Sequence, residues 1–596
     1  MTNRKFKSGV DRHQSCFLPP RMEDYVDLRN PVRAIDAFAE GLDYVALGFR
    51  HVADCCGGAG QPPFHPKDLM KLYLYGYTHK VRSSRLLERE AQVNIEVMWL
   101  MHGLQPGYRT IANFRKDNRK ALKRLNKEFV LVMQDLKLVG GTLVAIDGAF
   151  FDGNASKASI TPHHRLAERV AAIQEDIEAY IASLDENDAA EAARSAAAGN
   201  DGDWRSRPGG EDVAQKVAAL MEKRAKAQAE LEQPEKSGET QLSRTDPDVR
   251  LPSKRGQEDV AQKVAALMEK HAKAQAELER LEKSGETQLS RTDADARLLS
   301  KRGQVVAGYN VQIAVDDKHK LIVASEVVND GNDTGQLYEM AKAAKEALGV
   351  ETLTALGDGG YYNSNALKEC EEDGIIAYVP LPDRTGRMKA KGRITHEEFV
   401  YDADANAYRC PHGALLKPTE SPKINGDRVE IRYVSRKADC DGCPLRTRCV
   451  TEKTPTRTVQ RWEHEDVLDR HRARMKAADA PMSRRAELAE HPFGTLKCRA
   501  GYQHFLVRGF EMVRGEWGLM ALSYNFTRVL NILGVDDLMT YFAQRAGEVC
   551  PAAALGGHFC LWRPYGRQKQ PQTTLLRFAA AAGPDAGWWF PAKAHR

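Results

Sequence analysis

VAIDGAFFDGNAS, residues 144–156, decides the reading of this chain, because a short apolar run, TLVAID (142–147), ends in the carboxylate Asp147. A strand that ends there presents its last side chain outside the sheet, where a ligand can approach. The pattern returns in ALGDGGYYNSNAL (355–367), where the run TLTALGD (352–358) ends in Asp358. Between the two, VVAGYNVQIAVD (305–316) alternates as a strand does, and LIVASEVV (321–328) follows a Lys/Asp-rich turn, which predicts an antiparallel hairpin. Asp333 stands three residues before Gln336, a capping-box spacing that marks a helix start. In that helix Leu337, Ala341, Ala344 and Leu348 share a face and Gly349 closes it. NALKECEED (365–373) then reads as a helix stopped by Gly374, and IIAYVP (375–380) as a strand. Three early strands followed by helix–strand alternation predict an α/β fold with a mixed sheet.

A third acid lies in RRAELAEHPFGTLK (484–497), where Glu490 precedes Lys497 by seven residues. Seven residues make two helical turns, which would put both side chains on one face. Glu487, one turn earlier, reads as a helix-surface acid, Asp152 as a turn residue and Asp330 as a loop residue. Asp147, Asp358 and Glu490 together offer hard oxygen donors. Such donors suit two Mg²⁺ (or Mn²⁺) ions held about 3.5–4 Å apart, the equipment of phosphoryl transfer on DNA.

Upstream, residues 17–135 read as short helices, with Pro66, Ser84 and Asn94 as start signals. From Thr110 a helix carries a basic stripe. Residues 109–127 hold Arg109, Arg115, Lys116, Arg119, Lys120, Lys123, Arg124 and Lys127 against one acid, Asp117. Such a stripe suits a phosphate backbone, and also describes an ordinary solvated helix face. Several short helices before a basic one resemble a helix-turn-helix arrangement; a plain helical bundle is the alternative. The net charge of +5 over 596 residues says little by itself. No run of about 20 apolar residues predicts a membrane span, and the N-terminus lacks the apolar core of a secretion signal, so a cytoplasmic protein is expected.

The polar stretch 156–303 contains a tandem repeat of 47 residues. EDVAQKVAALMEK at 211–223 returns at 258–270, and the copies differ at six positions, which suggests a late duplication. Its composition favours helical arms, either a surface spacer or a contact for DNA or a second subunit. Cys410, Cys440, Cys443 and Cys449 could supply four thiolates to a structural Zn²⁺, with His412 as a substitute ligand, or remain reduced thiols.

Several motifs in order carry a family resemblance: FLPPRMEDYVDLRNPVR (17–33), YRTIANFRKDN (108–118), VAIDGAFFDGNAS, GYNVQIAVD (308–316), VVNDGNDTGQL (327–337), GDGGYYN (357–363), EHPFGTLK (490–497) and SYNFTRVLNIL (523–533). The chain resembles DDE transposases of bacterial insertion sequences over roughly 17–155 and 285–535. The resemblance implies an RNase-H-like core with Asp147, Asp358 and Glu490 as catalytic, Mg²⁺-binding triad. It implies double-stranded DNA, as inverted-repeat ends and as target, for partner, a homodimer in the synaptic complex, and action at the nucleoid. Arg109, Thr110, Asn113, Arg115, Lys116, Arg485 and Lys497 are the expected DNA contacts. Many transposases of this class carry Tyr and Arg seven and four residues before the Glu; here those positions hold Ser483 and Ala486.

The expected division is a helical DNA-binding domain at 1–135, a catalytic core at 140–155 and 304–380, a helical insert at 156–303, a Cys-containing insert at 381–460, the Glu helix and the rest of the core at 461–545, and an irregular tail at 546–596. A non-catalytic DNA-binding protein and a metal-dependent nuclease without strand transfer are the alternative functions.

Overall fold

Proline and asparagine punctuate the N-terminal region into short helices. The computed structural model describes residues 21–52, 63–197, 255–301, 303–382, 385–425, 428–451, 453–477 and 481–549. Helix α1 (Pro31–Glu40) opens with proline in its first turn, and Asn30 accepts from the Val32 N–H. Helix α2 (Pro66–Thr78) also starts on proline; α3 (Ser84–Val93) follows, and Asn94 caps α4 (Ile95–Leu100). The basic stripe does not run along one helix from Thr110. It is divided between α5 (Tyr108–Asp117) and α6 (Arg119–Asp135) at Asn118, whose side chain donates to the Phe114 carbonyl and accepts from the Arg50 N–H.

Strand β1 (Leu143–Asp152) begins the sheet. The insert leaves through β2 (Ile160–Pro162), runs along α7 (His163–Ala197), and returns along α8 (Arg255–Ser284) to β3 (Gln288–Ser290), which pairs with β2. Helices were expected here. The second repeat copy, 258–304, begins in α8 but continues through strands that composition did not predict, and all but the last three residues of the first lie outside the described residues. Then come β4 (Arg297–Lys301), β5 (Gln304–Asp316), β6 (Ile322–Val328), α9 (Leu337–Leu348), β7 (Leu353–Leu356), α10 (Ser364–Glu372) and β8 (Ile375–Tyr378). Gly349, at φ +62°, and Gly374, at φ +69°, stop α9 and α10 in the left-handed conformation that glycine adopts freely.

The sheet runs β4-β5-β1-β7-β8, with β6 on the second half of β5. β1, β5 and β6 are antiparallel neighbours, while β1, β7 and β8 run parallel. With helices on both faces this is the mixed α/β sheet that the sequence predicts, in the strand order of the RNase-H-like core that the resemblance implies. β5 is buried on both faces from Ala307 to Asp316. Its Tyr309, Val311, Ile313 and Val315 join the N-terminal helices and a long C-terminal helix (Phe510–Leu533), while Ala314, with Val144 and Ile146 of β1, faces α9 and α10.

After β8 and a short α11 (Gly386–Ala390) the chain forms a second sheet, which the sequence reading did not predict. Its strands are β9 (Val400–Asp402), β10 (Ala407–Arg409), β11 (Leu415–Pro418), β12 (Lys423–Asn425), β13 (Arg428–Val434) and β14 (Thr458–Trp462). Strands of three to seven residues offer little periodicity to read. Between β13 and β14 lie two turns of helix, α12 (Lys437–Asp441) and α13 (Arg446–Cys449). The chain then returns through α14 (Glu465–Ala477) and α15 (Pro481–Phe493) to α16 (Phe510–Leu533) and α17 (Val535–Val549). The tail expected to be irregular lies outside the described residues from 550 onward.

One buried charge ties the N-terminal helices to the core. Glu516 of α16 is 0% exposed. It accepts from the Leu506 N–H at 2.9 Å and lies 3.4 Å from the Arg82 guanidinium, which also donates to the His504 carbonyl. Burial pushes the Glu516 carboxyl up, and the charges of Arg115 and Arg82 oppose that. Replacing Glu516 by Ala would leave both guanidinium groups buried without their shared anion. The expected loss is about 3–5 kcal/mol of unfolding free energy in a urea titration.

Candidate active site

The register of the sheet sets two carboxylates side by side. β1 pairs with β5 along nine residues, from Val144 to Asp152. It pairs with β7 only through Leu143, Val144 and Ala145, opposite Thr354, Ala355 and Leu356. Carried two residues further, that parallel register puts Asp147 level with Asp358, just where β7 has ended. Asp147 therefore does not end its strand, as the sequence reading expected. It sits mid-strand, because β5 continues to supply hydrogen bonds after β7 stops. The result is still a crevice at the carboxyl end of a parallel strand.

The Asp147 carboxylate accepts from the Gly148 N–H at 3.0 Å, and Asp358 accepts from the Gly360 N–H at 2.8 Å. The latter bond closes a tight turn that carries Tyr361 inward, where its hydroxyl donates to the Gln312 side-chain oxygen. Burial pushes the Tyr361 hydroxyl pKa well up, and the charges of Asp333, Asp147 and Asp358 push it further. Three aspartates thus share the surroundings of one buried phenol.

Helix α15 lies over the same two strands. Leu488 and Ala489 pack on Ala145 and Leu356, each two residues before an aspartate. Glu490, the next residue, is exposed, and no ion pair or hydrogen bond engages its carboxylate among the described residues. Glu487 points elsewhere and pairs with Lys320 at 2.5 Å, which holds its carboxyl below the usual range. Arg485 does not face open surface: its guanidinium is 3.7 Å from Asp147, and both side chains are 16% exposed. Seven residues do not carry Glu490 to Lys497 along one α-helical face, because the helix widens to π geometry over Gly494–Arg499, just after Pro492. Proline removes a backbone donor, and π turns re-aim the side chains that follow. Lys497 instead donates to the Phe150 carbonyl of β1 and lies 4.3 Å from the Phe151 ring centre.

Comparison with known families now bears on this geometry. A family model described as "Transposase DDE domain" matches residues 409–530, and one described as "Transposase domain (DUF772)" matches 20–117. These matches indicate a DDE transposase of insertion-sequence type. The first covers the second sheet from β11 onward, α15 with Glu490, and most of α16; the second covers α1–α5. Asp147 and Asp358 fall outside both. No curated protein and no solved structure matches the chain.

The DDE family implies a divalent metal, and the oxygen donors of Asp147, Asp358 and Glu490 fit a hard cation by their chemistry. Their spacing is wider than a ready-made coordination shell. Among the described residues, the set of three acidic, histidine or cysteine ligand atoms within 4.8 Å of one another is Asp36, Glu40 and His102. There the ammonium of buried Lys71 already pairs with Asp36 at 2.5 Å and Glu40 at 2.6 Å, so the cluster reads as a structural ion pair of the N-terminal helices.

The expected DNA contacts divide by exposure. Arg109, Asn113 and Lys116 are exposed on α5, and Thr110 is half-buried. Arg115 is a correction: it is 9% exposed and faces Tyr77, Tyr73 and Glu516 within the protein, because it lies on the apolar side of α5 with Ile111 and Phe114. A charge held by an internal anion is out of reach of a phosphate.

The four cysteines of the second sheet lie in one region, although no three of their sulfurs come within 4.8 Å of one another. Burial pushes the Cys449 thiol up, and the causes that follow include Cys440, Cys410 and Cys443, so all four share one neighbourhood. Cys410 and Cys449 pack against the core of the second sheet with Tyr408 and Tyr433, and the Cys440 sulfur is 3.0 Å from the Ser435 hydroxyl.

Two positions beside the aspartates were not singled out from sequence. Asn310 and Gln312 stand two apart on β5, so they share a face, and both are 0% exposed. Two amides at alternate positions of an otherwise apolar strand were the available signal.

Proposed function

We propose that this chain binds the terminal inverted repeats of its insertion sequence and catalyses DNA cleavage and strand transfer, with divalent metal held by Asp147, Asp358 and Glu490. The observation that carries this reading is the crevice where β7 ends: parallel register brings Asp147 level with Asp358, and α15 packs on the residues just before both. Two Mg²⁺ ions bound there would activate the attacking oxygen and stabilise the leaving one. The protein's part is to aim its ligand oxygens. Gly148 N–H and Gly360 N–H each fix one carboxylate, and Leu488 and Ala489 anchor the backbone beneath Glu490. In the first step water oxygen bonds to the phosphorus at the element end and the bond to the 3′ oxygen breaks, leaving a 3′-hydroxyl. In the second that hydroxyl's oxygen would bond to a target phosphorus as the target strand's own 3′ oxygen leaves in line, taking up the proton.

In this reading Arg109, Asn113 and Lys116 on α5 supply the exposed polar face toward DNA, with Thr110 at its edge. Arg485 and Lys497 act within the site, on Asp147 and β1. An element has two ends and each chain one such crevice, so the working unit is a homodimer. The thiols of Cys410, Cys440, Cys443 and Cys449 hold a structural Zn²⁺ that staples the second sheet, since four soft donors in one neighbourhood suit that ion. No helix among the described residues is long and apolar enough to cross a membrane.

Asp147→Asn, Asp358→Asn and Glu490→Gln should each abolish cleavage of inverted-repeat DNA while end binding persists. Glu487→Gln should cut as the parent does. Loss of cutting in the Glu487 variant alone would move the third ligand there, and cutting without joined products would leave a nuclease.

Charge reversal at Arg109 and Lys116 should weaken end binding and lower the slope of log K against log salt by roughly 1–2, because each phosphate contact releases counterions. An unchanged slope removes α5 from the interface.

Protein purified without chelator should contain about one zinc per chain, and a Cys440→Ser, Cys443→Ser double variant should contain none. Zinc-free parent protein would leave these as plain thiols.

A further inference from the structure

The second sheet has one face in a core and one face open. Tyr408, Leu416, Tyr433 and Val459 form the inner side. Alternation turns their strand neighbours outward. The register sets Arg432 opposite Gln460, Val434 opposite both Thr458 and Lys417, and Lys423 opposite Glu430, so these residues share the open face. Arg409 of β10, opposite Leu415, belongs to it as well.

Charge on this face is lopsided. A surface that only has to stay soluble mixes both signs. Here each acid is already matched, Asp402 by Arg409 at 3.3 Å and Glu430 by Arg428 at 3.0 Å. Lys417, Lys423 and Arg432 are exposed, and no ion pair or side-chain hydrogen bond engages them among the described residues. Thr458 and Gln460, also exposed, add neutral hydrogen-bonding groups beside Arg432. The Thr419 N–H donates to the Arg432 carbonyl at 2.8 Å, so the pairing runs on by one residue and the exposed acid Glu420 alternates away from the face. Unmatched cations on one open sheet complement a polyanion.

The face starts beside the crevice. Arg428, at the beginning of β13, donates to the Ser364 hydroxyl at 3.4 Å and lies 5.1 Å from the Trp462 ring centre. Ser364 opens α10, just after the turn that carries Asp358, and Trp462 shares a core with Val144, Ile146 and Tyr361. From that core β13 runs to the core of the second sheet, which Tyr433 joins. At about 3.3 Å per residue Arg432 lies about 13 Å beyond Arg428. Duplex DNA carries a phosphate charge about every 1.7 Å of its axis, so a duplex with its scissile phosphate at Asp147 and Asp358 would present several phosphates over that span.

We propose that the open face of the second sheet binds, through Lys417, Lys423 and Arg432, the phosphate backbone of the duplex that flanks the cleaved position. Phosphate contacts hold DNA in register without reading its sequence. This grip is separate from the one assigned to α5. It rests on the reading of this chain as an enzyme that cuts DNA at Asp147 and Asp358.

The test uses full-length protein and two probes, a duplex of random sequence and an element end with its flanking DNA. Lys417→Gln combined with Arg432→Gln changes exposed residues only and should keep the parent's melting temperature. On the random duplex it should lower the slope of log K against log salt by roughly 2, since each lost phosphate contact counts about 0.9. On the element end, hydroxyl-radical footprinting should show protection of the repeat retained and protection of the flank lost. Lys283→Gln, on the insert, should behave as the parent does with both probes. If the double variant fails to fold, each single substitution should lower the slope by about 1. An unchanged slope in a folded variant, as an acidic protein partner for this face would give, overturns the proposal. So does flank protection that persists, or an equal loss in the Lys283 variant. Parent protein that binds neither duplex would instead overturn the DNA reading beneath it.

Discussion

β1 has a partner along its whole length on one side and along only its first three paired residues on the other, and the site follows from that asymmetry. β5 holds β1 extended through Asp152, so the backbone at Asp147 is rigid. β7 stops at Leu356, so the other flank of Asp147 opens into a crevice instead of continuing as sheet. A rigid strand beside a missing neighbour is a favourable place for charged side chains. They are positioned by the sheet without being buried in it.

The two sheet faces then divide the work. On one, Leu488 and Ala489 press α15 onto Ala145 and Leu356 and bring Arg485 to Asp147. On the other, Asn310 and Gln312 replace apolar residues beneath α9 and receive Asp333. Gly148 lets the second arrangement approach the first, because any side chain there would collide with Gln312 and Asp333. Polar groups on both sides of β1 are linked through a single backbone position.

A similar economy joins the helical N-terminal region to the core. Arg82 stacks over the Tyr502 ring at 4.7 Å, the Tyr502 hydroxyl donates to the Tyr77 carbonyl, and Glu516 takes the charges of Arg82 and Arg115. These contacts join α2, α5 and α16 across long sequence distances, with Phe38, Phe129 and Phe526 packed nearby. The exposed face of α5 is thereby held at a fixed orientation to the sheet.

Much of this was legible in the residues. Alternation along 305–316, the apolar runs before Asp147 and Asp358, and Gly349 and Gly374 as stops are local signals, and local sterics and burial decide them. The helical insert was legible from composition for the same reason. What remained hidden depends on contacts between distant segments. Asp333 was read as a cap because its spacing to Gln336 fits one, but two amides on β5 compete for its carboxylate and win. Arg115 was counted with the basic stripe, yet only packing against Glu516, some four hundred residues away, shows that its charge points inward. The short strands at 400–462 escaped notice because three residues carry almost no periodicity. The sequence by itself determined which carboxylates and which elements this chain possesses, since those rest on local pattern. Only the tertiary structure decided which carboxylates meet, since that is set by where β7 stops and by what the side chains of β5 hold on to.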